Sequence, residues 1–181
     1  MRRLLIPTLF GITIGFYGCL SSEDVIGPTP IEEEEFAPEL EIDLEEMTLN
    51  ESGLYWVDLA VGEGEEAAIG DTVAFTYTGW LPNGEEIETN EGEDADPMFI
   101  VIGMSNVIVG LQEGLIGMQP GGTRLLVIPS HLAWGAMATG PIPANSTVVF
   151  RVTLVELNPI DIFEDRALSI DSEIASMEAV Q

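Results

Sequence analysis

The sequence predicts an α+β domain in which an antiparallel sheet covers one short helix. Two observations lead to this class. Short apolar runs recur from residue 53 onward, separated by glycine- and proline-rich turns, which is typical of strands. One stretch inside that region has the 3.6-residue spacing of a helix with a buried face.

Three strands are predicted in the first half of the domain. Residues 54 to 59 form the first strand, which a glycine-rich segment ends. Residues 73 to 81 form the second, with alternate apolar side chains on one side of the pleat and a Pro-Asn-Gly turn after it. Residues 98 to 102 read as a buried strand. The acidic stretch 85 to 96 is expected to be a loop or a frayed edge strand.

The predicted helix carries Leu111, Leu115 and Met118 at i, i+4 and i+7. These positions share one helix face, which is expected to point toward the core. Pro120 and the two glycines after it are expected to end the helix sharply.

Two further β-rich runs, at residues 123 to 128 and 147 to 157, complete a domain predicted to span residues 53 to 158. A chain of 181 residues has room for one ordinary domain and its appendages.

Charge and residue counts exclude several kinds of function. The chain has 32 Asp and Glu and only five Arg, for a net charge of −27, which argues against a nucleic-acid partner. With one cysteine and one histidine there is no intrachain disulfide and no multi-Cys/His zinc site. His131 lies in a Pro-Ser-His-Leu turn without a nucleophile signature, so a surface loop is favoured over catalysis. No metal or cofactor is predicted, and a hydrolase with paired carboxylates stays a distant alternative.

The first residues indicate export. Arg2 and Arg3 precede an apolar run that is too short to span a bilayer, and Cys19 follows it. Residues 1 to 18 therefore predict a lipoprotein-type signal peptide, with a lipid on Cys19 holding the protein in the cell envelope. Leu20 replaces the Asp that commonly signals inner-membrane retention, which favours the outer membrane in a two-membrane bacterium. The alternative is a plain secretory signal cleaved nearby.

Residues 19 to 52 are predicted to be an acidic tether, because prolines and a glycine interrupt them and the run Glu32 to Glu35 is costly to bury. A cation-binding role for this run is the alternative, but the spacing of a calcium loop is missing. The excess of acids has a second interpretation as an adaptation to high salt.

The tail from 159 to 181 has a heptad-like apolar stripe. The pattern leaves three alternatives open: docking on its own domain as an amphipathic helix, self-association, and exposed fraying. The stripe consists of Ile160, Phe163, Ala167, Ile170, Ile174 and Met177.

Five short motifs occur in the order found in one family. They are Tyr-Thr-Gly-x-Leu at 77 to 81, Val-Ile-x-Gly-x-x-Glu-Gly-Leu-x-Gly-Met at 107 to 118, Gly-x-x-Arg-Leu-Leu-x-Ile-Pro at 121 to 129, Leu-Ala-Trp-Gly at 132 to 135, and Ile-Pro-Ala-Asn-Ser-Thr-Val-Val-Phe at 142 to 150. Together they resemble the FKBP-type peptidyl-prolyl cis-trans isomerases over about residues 53 to 158.

The resemblance implies a five- or six-stranded antiparallel sheet wrapped around the helix, with an apolar bowl between them that receives a prolyl residue. It implies that the backbone N–H of Ile108 donates to the substrate carbonyl, helped by the side chain at Trp134. The implied catalytic residues are Tyr77, Glu88, Ile108, Trp134 and Phe150. The implied substrate-binding residues are Ile87, Met98, Val107, Leu111 and Ile142.

Several of these positions differ from the family pattern. Leu111 replaces the usual tryptophan floor, and Trp134 replaces a tyrosine near the rim. Ile87 and Met98 occupy phenylalanine positions, with Phe99 in the bowl instead if the alignment shifts by one residue. Two functions follow: an isomerase that acts on proline-containing polypeptides and assists the folding of exported proteins, or a noncatalytic binding module or chaperone anchored to the membrane.

Overall fold

The computed structural model describes residues 27–92 and 96–159, which form a seven-stranded antiparallel sheet and one short α-helix. The α+β class and the antiparallel sheet are confirmed, but the sheet has seven strands rather than five or six. Three single-turn 3-10 helices lie at Ile31–Glu33, Pro38–Leu40 and Ser130–Leu132. The other elements are β1 (Thr48–Leu49), β2 (Tyr55–Ala60), β3 (Thr72–Trp80), β4 (Glu86–Thr89), β5 (Met98–Val101), α1 (Val109–Leu115), β6 (Thr123–Ile128) and β7 (Val148–Leu157).

The strand order across the sheet is β1-β2-β6-β7-β3-β4, with every pair antiparallel. One edge of β3 pairs with β7, and its other edge is shared by two short strands. β4 lies beside residues 78–80 and β5 beside residues 72–75. The acidic stretch predicted as a loop or an edge strand is therefore both, since β4 forms the edge and a connection to β5 follows.

Helix α1 packs very closely on the inner face of the sheet because it presents two glycines there. A Cβ atom on Gly114 would lie 2.5 Å from Cδ1 of Leu126. Gly110, one turn earlier, meets Ile128 in the same way. The main core lies between this helix and the sheet, and its fully buried side chains include Phe75, Ile102, Leu115, Leu126, Val148 and Leu154.

The helix ends earlier than predicted, at Leu115 rather than before Pro120. Ile116 is extended, and Gly117 has a φ of 76°, a left-handed conformation that suits glycine. Met118 is therefore buried in the core as predicted, but it lies beyond the end of the helix. The guanidinium of Arg124 stabilises this end, because its Nη1 donates to the carbonyl oxygens of Gly114 at 2.9 Å and Ile116 at 3.0 Å.

An N-terminal segment packs across the outer face of the sheet. We call residues 31 to 49 the strap. Its Ile31, Leu40 and Met47 are buried in a second core against sheet residues that include Leu125 and Val149. The acidic residues between them point outward, apart from the half-buried Glu34. The solvated tether predicted for residues 19 to 52 is thus wrong for the strap, because its apolar side chains have a sheet face to bury.

Two ends of the chain lie outside the described residues. The predicted signal peptide at 1 to 18, the lipid on Cys19 and any self-association through the tail therefore stay predictions, as do the domain bounds drawn from the sequence. No helix in 27–92 or 96–159 is both long enough and apolar enough to cross a membrane.

Candidate functional site

A cavity of about 200 Å³ opens between α1, the loop before it and the inner face of the sheet. We call it the bowl. Strands β3, β4, β5 and β7 each contribute one side chain, and the rest come from α1 and two loops. The lining residues are Tyr77, Glu88, Met98, Asn106, Val107, Ile108, Leu111, Trp134 and Phe150.

The bowl brings together eight of the ten residues that the resemblance implies. The remaining two, Ile87 and Ile142, pack in the main core rather than line the cavity. Ile142 is only 3 % exposed. Asn106 lines the bowl but was missed, because a polar loop residue carries no pattern that predicts where its side chain lies. The catalytic and binding roles themselves stay predictions.

Tyr77 and Phe150 form the aromatic wall of the bowl. Their ring centroids are 5.8 Å apart with an interplanar angle of 47°, and Phe75 continues the cluster from the core. Gly79 makes this arrangement possible, since a Cβ there would lie 2.7 Å from the Phe150 ring. The glycine of the Tyr-Thr-Gly motif thus provides room for the phenylalanine that faces it across β3 and β7.

The hydroxyl of Tyr77 is the main polar group inside the aromatic wall. Burial, a hydrogen bond to the Glu88 carboxylate and the negative charge of that carboxylate together raise the pKa of Tyr77 to about 12, with burial the largest cause. Tyr77 therefore keeps its proton at neutral pH. An uncharged hydroxyl leaves the aromatic wall without a formal charge.

The loop that leads into α1 also lines the bowl, through Asn106, Val107 and Ile108. Ile108 directly precedes the first helical turn, where backbone N–H groups have no intrahelical acceptor. Among the backbone and side-chain hydrogen bonds of the described ranges, none uses the Ile108 N–H as donor. Gln112 holds the loop in place, because its Nε2 donates to the carbonyls of Ser105 and Val107 and its Oε1 accepts from Gly103.

The register of β5 decides which of two neighbouring residues faces the bowl. Met98 pairs with Phe75 and lines the cavity, whereas Phe99 is 48 % exposed on the other side of the strand. With Leu111 as its floor and the half-buried Trp134 at its rim, the bowl is apolar but carries fewer aromatic rings than the family pattern.

Asn90 fills the gap between β4 and β5 along the edge of β3. Its Oδ1 accepts the Tyr77 backbone N–H at 2.6 Å, and its own N–H donates to the Tyr77 carbonyl at 3.1 Å. Its Nδ2 reaches the carbonyls of Phe75 and Asp96. The Asn90 side chain therefore replaces a missing stretch of strand and fixes the backbone that carries the bowl tyrosine.

Replacing Asn90 with alanine is expected to lower the free energy of unfolding by about 1 to 2 kcal/mol, because the Tyr77 N–H loses its acceptor in a half-buried place. Urea unfolding of the full chain measures this change. Asn83→Ala is the matched control, since Asn83 is exposed and its Oδ1 accepts only the Glu85 N–H of the turn. Equal losses in the two variants would contradict a special role for Asn90.

The described residues do not assemble a metal centre. In 27–92 and 96–159, no three His, Cys, Asp or Glu side chains come together as ligands. His131 is exposed, and its Nε2 lies 2.9 Å from the Ser52 carbonyl oxygen, away from the bowl lining. What the arrangement can do chemically is bind an apolar group without a covalent step.

An antiparallel sheet that closes over one short helix and leaves an apolar bowl between them is the FKBP-like fold, a class of small peptide-binding domains. The family model for FKBP-type peptidyl-prolyl cis-trans isomerases matches residues 63–155. The chain belongs to this family.

Relatives and solved structures agree with this assignment. The chain is 41 % identical over 106 residues to an FK506-binding protein of Neisseria meningitidis serogroup B, covering 58 % of this chain and 96 % of that protein. It is 44 % identical over 100 residues to FK506-binding protein 4 of Chaetomium thermophilum, covering 55 % of this chain but only 20 % of the relative. It thus spans about a fifth of the length of that fungal protein.

Two solved structures share the fold. The crystal structure of FkpA from Escherichia coli superposes with a TM-score of 0.57 at 34 % identity, covering 64 % of this chain and 53 % of that one. The crystal structure of AtFKBP13 also gives a TM-score of 0.57, at 31 % identity, and covers 61 % of this chain and 98 % of that one.

Proposed function

We propose that this chain is a peptidyl-prolyl cis-trans isomerase that binds prolyl segments in the bowl and speeds their isomerisation without covalent catalysis. The observation that carries the proposal is the make-up of the bowl, in which Tyr77, Phe150 and Ile108 line one small cavity and the Ile108 N–H donates to no acceptor in the described residues. Membership of the isomerase family supports it.

The chemistry suits such a bowl. Rotation about a peptide bond faces a barrier of about 18 to 20 kcal/mol, because the nitrogen donates electron density into the carbonyl. In the twisted transition state this donation is lost, so the carbonyl is less polar and the group is better accommodated by an apolar pocket than by water. Preferential binding of that state lowers the barrier, and no proton transfer or nucleophile is required.

In this proposal each lining group has a simple task. The prolyl ring lies against Tyr77 and Phe150 over the Leu111 floor. The N–H of Ile108 donates to the carbonyl of the substrate and holds it while the bond turns. Trp134 closes the rim, and its indole N–H is a second donor there.

We also propose that the protein acts on exported polypeptides at the cell envelope. The support is in the sequence: Arg2 and Arg3, the apolar run after them, and Cys19 at its end. A lipid on Cys19 would hold the folded domain at a membrane, where proline-containing chains emerge unfolded after export.

Cis-to-trans exchange of a proline-containing peptide, followed by NMR exchange spectroscopy, tests the isomerase. We expect the full chain to accelerate exchange, and Trp134→Ala to reduce kcat/KM about tenfold, which corresponds to about 1.4 kcal/mol of lost transition-state binding. Trp80→Ala is the matched control, because Trp80 is also half-buried but packs with the outer-face core. Folded protein that does not accelerate exchange would refute the catalytic proposal.

The Leu111 floor favours a second candidate, a noncatalytic binding module or chaperone that retains the bowl for apolar segments. Leu111→Trp separates the two. An isomerase that works with the leucine floor should change only modestly, whereas a module without turnover should gain activity from a low base.

A further inference from the structure

The charge around the bowl has one sign. The lining includes a single formal charge, the exposed carboxylate of Glu88 on β4. Its hydrogen-bond partner, the Tyr77 hydroxyl, is neutral. The chain as a whole carries a net charge of −27, so its overall charge has the same sign as this carboxylate.

Neither arginine in the part of the chain that the structure describes neutralises the bowl. Arg124 is buried behind α1, with its Nε 2.6 Å from Oδ1 of Asp58. Arg151 lies beside Trp80, and its Nη2 is 2.8 Å from Oε2 of Glu91. Both guanidinium groups are thus already paired, and neither lines the cavity.

We propose that Glu88 makes the bowl select prolyl segments that carry a lysine or arginine next to the proline, and disfavour those that carry an acidic residue there. This inference rests on the isomerase function proposed above and names its substrate class. In this proposal the bowl binds the prolyl ring, and the Glu88 carboxylate attracts or repels the charged side chain next to it.

The physical basis is electrostatic. A cleft with apolar walls concentrates the electric field of the negative charges around it, which attracts cations and repels anions. An ammonium or guanidinium group that reaches Glu88 meets an uncompensated carboxylate, whereas a glutamate of the substrate is repelled by it and by the whole acidic surface. Because Glu88 is exposed, the interaction is of the surface kind, so we expect about a fivefold preference for each charge step rather than an absolute requirement. Salt should weaken it.

The test uses six peptides that differ only next to the proline, with Lys, Gln or Glu before it in three and after it in three. Full-length protein is assayed by NMR exchange at about 0.02 M and about 0.5 M NaCl, a range over which screening changes strongly. In at least one of the two positions, kcat/KM should fall in the order Lys, Gln, Glu, by about fivefold at each step at low salt and by much less at high salt.

Two variants locate the effect. In Glu88→Gln the ratio of kcat/KM for the Lys and Glu peptides should shrink toward unity, whatever happens to the absolute rates. Glu156→Gln removes the same charge from an exposed position on β7, about 20 Å along the strand from Phe150, and should leave the ratio unchanged.

The outcomes separate the two proposals. If the Gln peptides are accelerated but all charge variants react equally, the substrate class is wrong and the isomerase stands. If a charge preference exists but Glu88→Gln and Glu156→Gln alter it equally, the whole surface sets it and the role of Glu88 is overturned. If no peptide is accelerated by folded protein, both proposals fail.

Discussion

Replacing Arg124 with methionine is expected to lower the free energy of unfolding by about 3 to 4 kcal/mol, because the guanidinium is a buried cation with four partners. Its Nε and Nη2 donate to both carboxylate oxygens of Asp58, and its Nη1 donates to two carbonyls at the end of α1. The charge also lies 4.0 Å from the ring centroid of Trp56. Methionine fills part of the space but leaves these acceptors without a donor.

The control for this prediction is Arg151→Met. Arg151 also pairs with a carboxylate and lies over a tryptophan, but its side chain is 42 % exposed, so water can replace what is lost. We expect a loss of less than about 1 kcal/mol. Urea unfolding with unchanged m-values measures both variants. If the two variants lost similar amounts of unfolding free energy, Arg124 would not have the special role of linking the end of α1 to the sheet.

Leu40→Ala in the strap should cost about 2 to 3 kcal/mol, because it leaves a cavity in the outer-face core. Leu40 is 8 % exposed and packs in the cluster that contains Leu125 and Val149. Two hydrogen bonds hold the part of the strap that precedes this residue. The Ala37 N–H donates to the Pro82 carbonyl at 2.8 Å, and the Tyr55 hydroxyl donates to Glu32 at 2.6 Å, which lowers the pKa of Glu32.

The matched control is Leu49→Ala. Leu49 closes the strap in β1 but is 53 % exposed, so its truncation should change the free energy of unfolding by less than about 0.5 kcal/mol. Urea or thermal unfolding of the full chain distinguishes the two leucines. A Leu40→Ala protein as stable as the parent would show that the strap behaves as the solvated spacer that its composition predicts.

The fold could be predicted where local pattern and burial agree. Val73, Phe75 and Tyr77 alternate along β3 as the sequence indicates, and all three are buried. The strap could not be predicted in this way. Ile31, Leu40 and Met47 have no common period, and the acidic residues around them suggest solvent. Their burial depends on a sheet face formed by strands that come later in the chain.

The candidate site was also predicted only in part. Motif positions such as Tyr77 and Ile108 were predicted by resemblance, and the structure places them around one cavity. The amide side chains of Asn90 and Gln112 were missed, although they hold the backbone on both sides of the bowl. Their hydrogen bonds join loops to distant carbonyls, so only the tertiary arrangement reveals them.

The central place of β7 in the sheet affects how the domain folds during synthesis. Among the strands in residues 27–92 and 96–159, β7 is the last to be synthesised, yet it alone joins β6 to β3. A growing chain that ends before Val148 therefore holds two separate pieces of sheet, one built on β3 and the other on β2 and β6. Tyr77 meets Phe150 only when β7, which carries Phe150, inserts between β3 and β6, so folding has to wait for pairings between distant parts of the chain.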